Sequence, residues 1–110
     1  MVQLTVHSGN PIIGWPVFSS KLLTDINDNI VQSLGNNMHS VESDCPTRER
    51  VGWTGDAQAT AETAFRSLDV ASFYAKWMQD MQDAQLADGG LSSTIPYAKH
   101  FPPVDPSWCE

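Results

Sequence analysis

The sequence predicts an all-α chain of three helices, preceded by a short β-containing or irregular segment and followed by an extended one. Two observations carry this. Apolar residues recur every three or four positions in three separate stretches, the spacing that lines up one helix face. Those stretches are separated by Gly, Asn, Asp and Pro clusters, which interrupt helices. Apolar residues make up 41% of the 110, enough to build a core and too many for a disordered chain. A chain of this length is one small domain and would bury roughly 65% of its unfolded surface.

Residues 2–18 alternate loosely and contain Gly9-Asn10-Pro11 and Gly14-Trp15-Pro16. They read as a strand, a turn and irregular chain, and residues 1–16 as a linker leading from a preceding β domain. Trp15 is expected to pack at that junction. Ser19-Ser20 can cap a first helix, in which Leu22, Leu23, Ile26, Ile30, Val31 and Leu34 share one face. Gly35-Asn36-Asn37, tolerant of left-handed backbone, is expected to stop it. Residues 39–55 follow as a polar loop. Asp56 is expected to cap a second, alanine-rich helix over Ala57–Leu68, and Asp69 a third. In the third, Val70, Phe73, Trp77 and Met81 form a core stripe, and Asp88-Gly89-Gly90 should end it. Residues 91–107, with four prolines, should be extended. Each helix has a wide apolar face, and three helices cannot cover one another completely, so exposed apolar faces and self-association are expected.

The charge balance narrows the function. A formal net charge of −7 repels phosphate backbones and anionic lipid, and no basic stripe offsets it, which argues against nucleic-acid binding. No stretch approaches the eighteen or so apolar residues of a membrane span. Met1–His7 has neither a basic nor an apolar leader region, which points to a cytoplasmic location. Cys45 and Cys109 stand in no metal-binding pattern and read as two reduced thiols; His7, His39 and His100 are scattered without ligand spacing.

The chemistry is concentrated in Asp44-Cys45-Pro46-Thr47-Arg48-Glu49-Arg50-Val51-Gly52-Trp53-Thr54-Gly55-Asp56. Three carboxylates, two guanidiniums and an indole share one loop between helices, the usual placement of binding groups. A carboxylate accepts hydrogen bonds from neighbouring sugar hydroxyls, and an indole face stacks on a sugar ring. Glycosidic cleavage needs a protonated carboxyl near the leaving oxygen and a second carboxylate opposite. Glu49 is the candidate acid. Burial, Asp44 and Asp56 would raise its pKa, while Arg48 and Arg50 would lower it. The competing bland reading of these acids is capping and local pairing with Arg48 and Arg50.

The run DCPTRERVGWTGDAQ, Asp44 to Gln58, resembles the signature of bacterial and fungal α-L-rhamnosidases. The flanks FSSKLLTDINDNIVQS, VASFYAKWMQDMQDAQLADGG and PPVDPSW are similar too, so the resemblance spans residues 17–108. Many members insert an Asp between the residues matching Arg48 and Glu49; this chain has the shorter form. The resemblance implies that residues 17–110 are the N-terminal part of an (α/α)6 barrel, a six-hairpin toroid, of which three helices are a partial piece. It implies a glycoside hydrolase acting on rhamnose-containing glycosides by an inverting mechanism, with Glu49 as general acid. Asp44, Arg48, Trp53 and Asp56 match sugar-contacting positions. Trp108 is similar to a later pocket tryptophan, although relatives continue Trp-Gly-Asp where this chain reads Trp108-Cys109-Glu110. The family's base, a glutamate far downstream, has no match here, so the isolated piece is expected to be inactive. No metal or organic cofactor is required for this chemistry. The alternatives are a non-catalytic carbohydrate-binding module, which would bind rhamnose without turnover, and a purely structural helical module, which would do neither.

Overall fold

The computed structural model describes residue 2 and residues 7–99. Three helices dominate: α1 over Lys21–Asn37, α2 over Thr54–Ser67 and α3 over Ala71–Asp83. A minimal antiparallel hairpin, β1 at Met38–His39 and β2 at Val41–Glu42, sits between α1 and α2. Ser40, at its tip, takes a φ of 73°, a left-handed turn conformation that a small polar residue tolerates.

The three-helix expectation holds, with shifted ends. Ser20 occupies the N-cap of α1 but makes no side-chain capping bond. Gly35, Asn36 and Asn37 form the last turn of α1, and the chain leaves it at Met38. Asp56 does not cap α2. That helix begins two residues earlier with Trp53 at the N-cap, which places Asp56 in the first turn. Val70 rather than Asp69 precedes α3. The third helix stops at Asp83, short of Asp88-Gly89-Gly90. Those residues instead close a tight turn, with Gly89 at a φ of 89° and bonds between Leu86 and both Gly89 and Gly90.

Two small cores join the elements. Val31 and Leu34 of α1 meet Met38, Ala64, Leu68, Val70 and Phe73 in one. In the other, Trp77 and Ile95 are fully buried against Ala57. Tyr74 packs on both and bridges them, stacked on Phe65 with ring centroids 5.0 Å apart. The expected stripe Val70–Phe73–Trp77 is core, with Met81 half-buried at its end. The N-terminal segment runs along the α2–α3 link: Ile13 N–H donates to Ser67 O at 2.9 Å and Asp69 N–H to Pro11 O at 2.8 Å. Ile12 makes an isolated bridge with Leu68, which is as much strand as the described part of the linker contains.

The apolar face of α1 does not all find a partner. Leu22, Leu23, Ile26 and Ile30 are exposed, Leu22 at 67%, and only Val31 and Leu34 bury. Periodicity marks which face is apolar; cover depends on neighbours, and α2 and α3 reach only the C-terminal half. Phe65 of α2 and Met78 of α3 are likewise more than half exposed. Among the described residues, no helix is long and apolar enough to cross a membrane.

Gly52 marks the tightest packing near the loop. A Cβ there would lie 2.4 Å from Ile95 O and 3.0 Å from the Trp77 ring. Gly52→Ala should therefore destabilise the fold by about 1–3 kcal/mol through overpacking, read from urea or thermal unfolding. A second expectation concerns the exposed face. The double substitution Ile26→Glu and Ile30→Glu should shift the 110-residue chain toward monomer in sedimentation, at little cost in stability.

Candidate functional site

The charged loop lies between β2 and α2 and is closed at its base by a reciprocal pair. Asp44 N–H donates to Val51 O at 3.2 Å, and Val51 N–H donates to the Asp44 carboxylate at 3.1 Å. Within the ring so formed, Glu49 N–H donates to Cys45 Sγ at 3.2 Å, a structural use for a thiol that is free. Arg50 completes the turn at a φ of 56°, a left-handed geometry that costs a non-glycine residue roughly 1–2 kcal/mol. The far end is fixed to the extended segment beyond α3. Ile95 N–H donates to Gly52 O at 2.8 Å, and Thr54 N–H and hydroxyl both donate to Ser93 O.

This scaffold sorts the predicted residues. Asp44 and Asp56 line the same open cleft of about 530 Å³ between α1 and α2, opposite the apolar wall of Ile26, Ile30 and Leu34. Glu49 is exposed at the loop's edge, where its Oε2 accepts the indole N–H of Trp53 at 3.0 Å. Arg48 is exposed. The three ion pairs among the described residues are all i,i+4 pairs on helices and include neither Arg48 nor Arg50. Trp108 lies outside the described residues. Trp15 is half exposed and, with His7 and His39, lines a larger groove of about 670 Å³ on the other side of α1, which holds none of the loop acids. Among the described residues, no group of three or more His, Cys, Asp or Glu could hold a metal ion.

Electrostatics distinguish Asp56. Its carboxyl is pushed above the usual aspartate range, first by burial and then by the negative charges of Asp44 and Glu49; a backbone hydrogen bond in the first turn of α2 pulls the other way. A cleft lined by carboxyl groups in this way suits a ligand rich in hydroxyl donors.

Sequence reasoning passed over one acid in the same cleft. Glu42, on β2, is 3% exposed and receives hydrogen bonds from Thr60 and Tyr74. Burial pushes its carboxyl up, and the Asp56 charge adds to this, while the two hydroxyl bonds oppose it. Its partners lie 18 and 32 residues along the chain, so no local spacing could reveal it.

Comparison with known proteins agrees with this architecture. Residues 13–110 match the family model described as the bacterial alpha-L-rhamnosidase 6 hairpin glycosidase domain. An alpha-L-rhamnosidase from Formosa agariphila is 38% identical over 91 residues, which is 82% of this chain and 10% of that protein. One from Streptomyces avermitilis is 40% identical over 76 residues, 68% of this chain and 7% of the relative. Among solved structures, the alpha-L-rhamnosidase from Dictyoglumus thermophilum superposes with a TM-score of 0.87 at 38% identity, covering 94% of this chain and 12% of that one. The Streptomyces avermitilis enzyme, solved in complex with L-rhamnose, gives 0.81 at 34% identity, over 84% of this chain and 9% of its own. In fold, the three helices are a small part of a six-hairpin, all-α glycosidase toroid. The chain belongs to the bacterial alpha-L-rhamnosidase six-hairpin glycosidase domain family. It spans about a tenth of the length of the curated relatives it matches.

A pH dependence follows from the raised Asp56 carboxyl. A group harder to ionise in the folded chain than in the unfolded one weakens the fold as pH rises through its folded pKa. Asp56→Asn should therefore raise the melting temperature near pH 7, and the gain should shrink as pH falls toward the ordinary aspartate pKa of about 3.9. Melting curves of the two proteins across that range provide the check.

Proposed function

We propose that this chain carries the acid-bearing, sugar-contacting part of an α-L-rhamnosidase active site. The observation that supports this best is the neighbourhood of Glu49. One of its carboxyl oxygens accepts the Trp53 indole N–H, and the carboxyl is close enough to Asp56 for its charge to act there. With Oε2 engaged as an acceptor, a proton on Oε1 is free to point at a glycosidic oxygen.

In this mechanism Glu49 donates its proton to the leaving oxygen as the C–O bond breaks. Asp44 and Asp56 accept hydrogen bonds from rhamnose hydroxyls, Arg48 donates to them, and Trp53 walls the pocket. Trp108 is assigned a sugar-contacting role on the motif resemblance alone. Configuration inverts because water attacks from the opposite face, activated by a glutamate that is not among these 110 residues. Substrates are terminal α-L-rhamnosyl glycosides, and no metal or organic cofactor is used. The Streptomyces avermitilis relative, solved with L-rhamnose, supports the sugar assignment.

The 110-residue chain alone should not turn over a p-nitrophenyl rhamnoside, since a positioned acid or base contributes about 10²–10⁴-fold each and only one is present. Steady turnover by the pure chain would contradict that. In a longer enzyme containing this segment, Glu49→Gln should abolish hydrolysis yet keep L-rhamnose affinity within a few-fold. Asp44→Asn should weaken rhamnose binding itself, because its carboxylate becomes half donor. Calorimetric titration with L-rhamnose beside steady-state kinetics separates the two roles.

A further inference from the structure

Glu42 is a buried acid that the proposed chemistry does not use. Its surroundings favour a proton on it. Thr60 Oγ1 lies within hydrogen-bonding reach of Glu42 Oε1, of Asp56 O at 2.8 Å and of Ala57 O at 3.5 Å. A threonine hydroxyl has one hydrogen. That hydrogen goes either to Glu42 Oε1 or to the carbonyl one turn back, Asp56 O. In the second arrangement the contact between Thr60 and Glu42 takes its hydrogen from Glu42 instead. Tyr74, whose hydroxyl is likewise pushed well above its ordinary range, donates to the other oxygen, Oε2. In that arrangement one proton on Glu42 Oε1 satisfies every partner in the network.

The charged groups around it agree with a neutral carboxyl. Asp56 on α2 and Asp44 after β2 line the same cleft, both acids. Tyr74 faces it from α3. Lys76 on α3 is engaged elsewhere, by Ser40 and Asp80. None of the ion pairs among the described residues includes Glu42. An ionised carboxylate 3% exposed, with acids for neighbours and no cation, would be costly.

We propose that Glu42 is a positioning residue for the sugar-binding cleft: as a protonated carboxyl clasped by Thr60 and Tyr74, it ties the β1–β2 hairpin to α2 and α3. The connection is short. Asp44 follows Glu42 by two residues, and Thr60 hangs from the carbonyl of Asp56. Loosening the clasp releases the two sugar-contacting acids from one another. This inference rests on the function proposed above for Asp44 and Asp56, and the protonation of Glu42 can be tested apart from it.

The test uses the longer rhamnosidase that contains this segment. Glutamine at 42 offers an N–H to Thr60 and a carbonyl to Tyr74, so Glu42→Gln should keep kcat and KM within about threefold of the parent. Glu42→Ala should raise KM for a p-nitrophenyl rhamnoside and Ki for L-rhamnose together by about tenfold, with kcat little changed. Should the alanine variant fail to fold, Thr60→Val, which keeps the helix and removes the hydroxyl, should raise both constants in the same way. A hundredfold loss of kcat in Glu42→Gln would make Glu42 a charged participant in the chemistry and overturn the proposal. Unchanged KM and Ki in the alanine or valine variant would overturn it as well. Infrared difference spectra of parent against Glu42→Gln at neutral pH should show a protonated-carboxyl band; a carboxylate band pair would refute it. That band is read even if the parent cleaves no rhamnoside, so failure of the functional reading and failure of the Glu42 assignment are distinguishable.

Discussion

The contact on which the rest depends is the antiparallel clasp between residues 52–54 and 93–95. Gly52 O receives the amide of Ile95, Ser93 O receives the amide and hydroxyl of Thr54, and Ile95 O receives the Trp77 indole at 2.9 Å. Trp77 and Ile95 are fully buried, so these polar groups have no water to fall back on and the bonds are costly to break. The clasp sets the first residue of α2, and with it the position of Asp56. It also fixes the exit of the charged loop, whose base is closed by Asp44 and Val51. A loop anchored at both ends can hold Glu49 and Trp53 in one geometry without being buried itself.

That geometry is held against electrostatic opposition. Asp44, Glu49 and Asp56 repel one another, and no ion pair among the described residues relieves them. Arg50 adds a left-handed backbone turn. Proteins keep such locally unfavourable arrangements where a ligand or a reaction uses them. The exposed apolar face of α1 is a different kind of incompleteness. Leu22, Leu23 and Ile26 follow the spacing of a buried helix, and in the solved relatives the matching segment is about a tenth of a larger chain.

The helices were legible in the sequence because their apolar residues recur at helical spacing; Val70, Phe73 and Trp77 are core as that spacing demands. The charged loop was legible because its residues are consecutive. Element ends were less so. Asp56 has the chemistry of an N-cap, yet Thr54 starts the helix because Ser93 takes up its amide and hydroxyl, a tertiary contact no local pattern records. Asp88-Gly89-Gly90 looks like a helix stop and is instead a separate turn after α3. Glu42, on β2, was invisible because Thr60 and Tyr74 reach it from α2 and α3. Long-range polar partners are what a single sequence conceals.

The central claim is that Glu49 delivers a proton to the leaving group, and leaving-group dependence tests it most directly. In a longer enzyme containing this segment, hydrolysis of an activated aryl rhamnoside needs little protonation, whereas an alkyl rhamnoside needs it fully. The ratio of kcat/KM for the parent to that for Glu49→Gln should be far larger on the alkyl substrate than on the aryl one. Equal losses on both substrates would make Glu49 a binding residue and move the acid to Asp44 or Asp56.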